Sequence, residues 1–168
     1  MPNPRKPLRL NIGFLINATI GTKREFPFGF NKISLGDDLS LQEFSGEARF
    51  SRTPQGLLLQ GDFSFSIEMN CVRCLENFIQ PLHVSFTDLY AFDQRSISES
   101  NLLVPEDGQI DLGPLLREYA ILEFPINPIC KPGCKGLCPV CGENLNLKDC
   151  GHHPESESPF AVLKDLIK

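Results

Sequence analysis

Phe63-Ser64-Phe65-Ser66-Ile67-Glu68-Met69-Asn70 alternates apolar and polar residues without a break, the pattern of a strand with one face toward a core and the other toward water. A second such run, Leu82-His83-Val84-Ser85-Phe86-Thr87, follows it. The two read as arms of an antiparallel hairpin whose tip, residues 70–77, carries Cys71 and Cys74. Upstream, residues 44–50 and 57–60 flank Thr53-Pro54-Gln55-Gly56, a turn sequence with a residue suited to positive φ. Gly36-Asp37-Asp38 marks a further connection. Period two holds from residue 8 to about 92, which predicts an antiparallel sheet, strongly curved or partly closed into a barrel.

Farther out the pattern changes. At the start, Arg5, Lys6 and Arg9 precede Ile12-Gly13-Phe14-Leu15-Ile16, the order of charge then apolar residues seen in secretory leaders. Asn11 and Asn17 interrupt it and no small-x-small cleavage pattern follows, so a first strand and a cytoplasmic location are expected. Beyond the hairpin, residues 96–101 are polar and read as a loop. Asp111 then opens a helix over 111–124, with Leu112, Leu115, Leu116, Tyr119 and Leu122 on one face. Pro114 is tolerable in the first turn and Pro125 ends the helix. Ser158-Pro159 is an N-cap followed by proline at the first helical position, so a short docking helix over 160–167 closes the chain. No internal repeat is expected. The reading is an α+β fold: residues 1–126 form a mainly antiparallel β domain with one central helix. Residues 127–153 form a cysteine-rich zinc-binding segment, and 154–168 a tail with its short helix.

The chain has 168 residues, 41% of them hydrophobic and 22% charged. That is one domain's worth with a small appendage, and its charge content is too ordinary for a disordered chain. No apolar run approaches the ~20 residues a bilayer helix needs, so no membrane partner is expected. The net charge of −5 argues against a non-specific nucleic-acid binder held by a basic surface. It is local, however: residues 93–123 hold seven acids, Glu106 and Asp107 among them, against Arg95 and Arg117. The rest is neutral overall, with basic clusters at 5–9 and around 131–148.

Of seven cysteines, five (Cys130, Cys134, Cys138, Cys141 and Cys150) fall within 21 residues, and the others form Cys71-Val72-Arg73-Cys74. An odd, clustered set suits metal thiolates in a reducing compartment better than a disulfide framework. Cys138-Pro139-Val140-Cys141-Gly142 has the form of a zinc knuckle, in which the glycine permits a turn that aims amide hydrogens at sulfur. On compactness, Cys130, Cys134, Cys138 and Cys141 are the expected Zn2+ ligands, with Cys150 and His152 as alternates. Cys71 and Cys74 read as a second metal half-site completed by spare tail cysteines, as small residues in a tight turn, or as a redox pair. The last fits worst, because a thioredoxin-like pair sits where a strand meets a helix. His83 reads as a strand histidine. No phosphate loop, nucleophile elbow or carboxylate pair appears, so neither catalysis nor a small-molecule substrate is expected.

Four blocks in order carry a family resemblance: Cys71-Val72-Arg73-Cys74-Leu75; Gly108-Gln109-Ile110-Asp111-Leu112 leading into the helix; the run from Cys134 through Cys138-Pro139-Val140-Cys141-Gly142 to Asn146; and Ser158-Pro159-Phe160-Ala161-Val162-Leu163-Lys164. From about residue 60 to its end the chain resembles the YceD-like family of bacterial and plastid large-ribosomal-subunit RNA accumulation proteins. The resemblance implies a non-enzymatic role in 23S ribosomal RNA accumulation and large-subunit biogenesis, with 23S RNA or a large-subunit ribosomal protein as partner. Some members lack most of the second cysteine cluster, so zinc there would stabilise rather than carry the shared activity. His152 stands where relatives often have the second cysteine of a Cys-x-Cys pair. A zinc-stabilised protein adaptor without RNA contact, and a thiol oxidoreductase using Cys71 and Cys74, are the competing readings.

Overall fold

The Phe63–Met69 alternation lies within a 15-residue strand in which Phe63, Phe65 and Ile67 are buried while Asp62, Ser64 and Glu68 are exposed. The computed structural model describes residues 7–96 and 101–152. The elements are β1 (Arg9–Asn11), α1 (Gly13–Ile16), β2 (Lys23–Ser34), β3 (Ser40–Arg52), β4 (Gly56–Asn70), β5 (Asn77–Ala91), β6 (Gln109–Asp111) and α2 (Gly113–Leu122). β2-β3-β4-β5 form one four-stranded sheet in sequence order, and β1 pairs antiparallel with β6. This is a mostly antiparallel α+β arrangement with few helices. The chain divides into two compact units: residues 1–68 with 79–126, and residues 69–78 with 127–168.

In the first unit, stacked aromatics supply much of the core. Phe44 lies 5.2 Å from Phe63, and Phe63 lies 6.1 Å from Phe86. Each such fully buried side chain contributes roughly 1.5–3 kcal/mol. The Phe86 ring is stacked at 4.5 Å by Tyr119 of α2, whose hydroxyl donates to the buried Asp88 carboxylate at 2.9 Å. α2 therefore covers part of the sheet through Leu115, Leu116, Tyr119 and Ala120. Leu122, expected on that face, is 76% exposed, because the helix ends there and the buried stripe follows 112, 116 and 120 instead. Asp111 sits one residue before the N-cap, its carboxylate accepting the Gly113 N–H at 3.0 Å.

The expected partial closure is not seen: the sheet is open, with β2 and β5 at its edges. Both edges carry a proline, Pro27 and Pro81, which lacks the N–H a closing seam would need and blunts the edge. Curvature enters at a bulge between Gln42 and Ser45, where Glu43 adopts φ 51°. The expected first strand is also corrected. Only Arg9–Asn11 pairs, after which the Asn11 side chain accepts the Gly13 N–H at 3.1 Å and Ile12–Ile16 coils into a helical turn. That turn buries Ile12 and Leu15. Among the described residues no helix is long and apolar enough to cross a membrane. The expected helix over 160–167 and part of the 96–101 loop lie outside the described residues.

Candidate metal centres

The second unit contains all seven cysteines. Its first turn joins β4 to β5. The Cys71 N–H donates to the Glu76 carbonyl at 2.9 Å and the Leu75 N–H to the Cys71 carbonyl at 2.9 Å, with Leu75 at φ 60°. The segment after residue 127 docks on this turn, the Val72 N–H donating to the Pro128 carbonyl at 2.9 Å. A tight turn from Lys131 to Cys134 then presents Cys130 and Cys134. Cys71 Sγ lies 3.8 Å from Cys134 Sγ, and Cys74 Sγ 3.7 Å from Cys130 Sγ. All four sulfurs fall within 4.8 Å of one another. Zinc–sulfur bonds of ~2.3 Å at tetrahedral angles require sulfur–sulfur edges of about 3.8 Å, whereas a disulfide needs ~2.05 Å. The observed spacing fits the metal. Phe78 and Ile129 pack against the group.

Its electrostatics favour thiolate at two positions. Burial pushes Cys71 up, but backbone N–H groups of Cys130, Cys74 and Arg73 outweigh it and bring the thiol to about 6. Cys134 is likewise pushed up by burial and brought lower by the Asn146 amide, 3.4 Å from its sulfur, and by the Gly136 N–H. Cys130 is pushed up to about 12, first by burial and then by the neighbouring thiols. At Cys74 the Glu76 N–H acts downward, yet burial with Cys71 and Cys134 raises it overall. Metal binding would expel the remaining thiol protons.

A second cluster lies in the same unit: Cys138, Cys141, Cys150 and His152, again within 4.8 Å of one another. Its turn repeats the first. The Cys138 N–H donates to the Glu143 carbonyl at 2.8 Å and the Gly142 N–H to the Cys138 carbonyl at 2.9 Å, with Gly142 at φ 76°. N–H groups of Cys141 and Val140 point at the Cys138 sulfur and hold it at about 6. The sequences match too: Cys71-x-x-Cys74-x-Glu76-Asn77 and Cys138-x-x-Cys141-x-Glu143-Asn144. Four of these seven positions are identical, a short local repeat that the expectation of no internal repeat passed over. The turns are tied together, the Leu137 N–H donating to the Arg73 carbonyl and the Asn144 amide to Glu76, both at 2.9 Å.

The quartet chosen on compactness is thus divided. Cys130 and Cys134 join Cys71 and Cys74, while Cys138 and Cys141 join the alternates Cys150 and His152. The Val72–Pro128 bond lays the segment of Cys130 and Cys134 on the first turn, so their sulfurs meet Cys71 and Cys74, while Cys150 and His152 lie beside Cys138 and Cys141. The tail cysteines that lie beside Cys71 and Cys74 are thus Cys130 and Cys134, four donors that could hold one metal ion. His83 is exposed in β5, 3.7 Å from Asp62 and 3.3 Å from Ser64 Oγ.

Comparison with known proteins follows the same residues. A Mycobacterium tuberculosis protein is 27% identical over 125 residues, 72% of this chain and 60% of that protein. The chain thus spans about three fifths of the length of that relative. The chloroplastic large ribosomal RNA subunit accumulation protein YCED homolog 1 is 36% identical over 63 residues in Zea mays, 37% of this chain and 22% of that protein. Its counterpart in Arabidopsis thaliana is 40% identical over 64 residues, 37% of this chain and 20% of that protein. No solved structure gives a significant match. The family described as large ribosomal RNA subunit accumulation protein YceD matches residues 59–167, a span holding every cysteine of both clusters, and the chain belongs to that family.

Proposed function

We propose that this protein is a non-enzymatic factor that supports 23S ribosomal RNA accumulation, and so large-subunit biogenesis, in the bacterial cytoplasm. The observation that carries the reading is the family match over residues 59–167, joined by the names of the chloroplastic relatives. In this reading Cys71, Cys74, Cys130 and Cys134 hold a structural zinc. Four sulfurs complete a tetrahedral shell and leave no position for water or substrate, which supports a scaffolding metal over a catalytic one. The same grouping speaks against an isolated redox pair, since each sulfur of Cys71-x-x-Cys74 also meets a cysteine of the other segment at 3.7–3.8 Å.

The partner we infer is 23S RNA itself or a ribosomal protein bound to it. Arg73, Lys131, Lys135 and Lys148 are exposed on the unit that holds the cysteines, where they can neutralise phosphates. The test is sedimentation of tagged full-length protein through a gradient of cell lysate. Co-migration with large-subunit precursor particles, lost on nuclease treatment, is expected. Charge reversal at Lys131, Lys135 and Lys148 should flatten the salt dependence of that association by ~0.7–0.9 per lost phosphate contact. Free sedimentation at all salt concentrations would refute the reading, and nuclease-resistant association would replace RNA with a protein partner.

A further inference from the structure

We propose that Cys138, Cys141, Cys150 and His152 form a second zinc site, with three sulfur donors and one imidazole nitrogen, whose metal exchanges more readily than that of the four-cysteine cluster. Two independent observations carry this. The four donor atoms lie within 4.8 Å of one another. Separately, the Cys138–Glu143 turn reproduces, bond for bond, the Cys71–Glu76 turn that supplies two sulfurs to the first cluster. A backbone that folds twice into the same sulfur-presenting turn, each time with two further donors alongside, is built for the same ligand. The second donor pair comes from Cys150-Gly151-His152, where Gly151 adopts φ 71° and donates its N–H to the Asp149 carboxylate at 2.9 Å.

The difference between the clusters is access. Cys71, Cys74 and Cys134 are buried, with Phe78 and Ile129 against them. In the second cluster only Cys138 is buried; Cys141 and His152 are exposed and Cys150 is half-buried. Exchange of a four-coordinate zinc begins when an incoming donor reaches the metal or a protein ligand swings away, and exposed ligands permit both. A neutral imidazole in place of a thiolate also leaves less negative charge on the site. The donor class suits zinc, which takes three cysteines and one histidine in structural sites.

The experiment uses the full-length protein prepared without chelator. Elemental analysis should give about two equivalents of zinc, and a chromophoric chelator should remove one in a fast phase and one in a slow phase. Cys141→Ser should lower the content by one equivalent and abolish the fast phase, while Cys74→Ser should abolish the slow phase. His152→Ala, a change at an exposed side chain, should accelerate or abolish the fast phase with the slow one untouched. Alkylation gives a readout free of variants: zinc should protect Cys141 and Cys150, and chelation of the fast equivalent should expose them. A single wild-type equivalent that leaves only in the slow phase, an undiminished content in Cys141→Ser, an unaltered fast phase in His152→Ala, or equal alkylation with and without zinc would each overturn the proposal. Loss of the slow phase alone from the wild type would instead count against the four-cysteine site.

Discussion

Gly46 adopts φ 149°, and a Cβ there would fall 2.1 Å from the Asp62 carbonyl oxygen and 2.7 Å from Phe63 Cα. Backbone cannot move aside as a flexible side chain can, so Gly46→Ala should cost ~2–4 kcal/mol. Gly29→Ala, where a new Cβ meets nothing within 4 Å, should cost less than ~1 kcal/mol. Urea denaturation of the two variants checks this, and equal midpoints would contradict it. The two tyrosines offer a second residue-level test. Burial, then the Asp88 and Asp111 carboxylates, push Tyr90 up to about 12; burial and the bond to Asp88 raise Tyr119. An unfolded phenol ionises near pH ~10, so above that pH the folded state retains protons that the unfolded chain has lost. The stability these groups give is therefore full below pH ~10 and falls as pH rises toward ~12. With no Trp and only two Tyr in the chain, tyrosinate absorbance should reach half its final value above the pH ~10 of a free phenol, with Tyr90 ionising late. Half-ionisation at pH 10 with the sheet intact would contradict the packing. Neither effect is readable from sequence, because Asp62 and Asp88 meet their partners only through strand register and helix docking.

At the level of elements, the strands were legible because period two leaves a residue-by-residue imprint, as in Phe63 to Met69. Short apolar runs leave none: Ile12–Ile16 holds too few residues to separate a strand from one helical turn, and the Asn11 side chain decided it. The open sheet had a readable signal in Pro27 and Pro81. The two cysteine turns were readable singly and, through their repeated Glu and Asn, as a pair. The proposed zinc would hold these turns, which have few buried apolar side chains beyond the cysteines, so its removal should act on them selectively. Stripping zinc from the full chain should cost Val72, Leu137 and Leu145 amides their exchange protection while Phe63 and Phe65 keep theirs. Hydrogen exchange resolves these amides, and simultaneous loss in both groups would show that the units do not order independently.

For the whole molecule, the feature hidden from sequence reasoning is distance along the chain. Cys71 and Cys134 are 63 positions apart; the sequence allowed spare tail cysteines to complete the Cys71–Cys74 turn but did not say which, and compactness favoured a quartet within one segment. Once that long-range pairing is seen, every cysteine has a place in one of two four-donor groups, and the family span encloses both. The proposed role of this chain is to sustain the large-subunit RNA. It is tested most directly by the ratio of 23S to 16S RNA in cells depleted of the protein and resupplied with wild type or Cys74→Ser. The ratio should fall on depletion, recover fully with wild type, and recover with Cys74→Ser, which lacks the slow zinc, only to the degree that the variant keeps its fold. An unchanged 23S to 16S ratio in depleted cells would contradict the account.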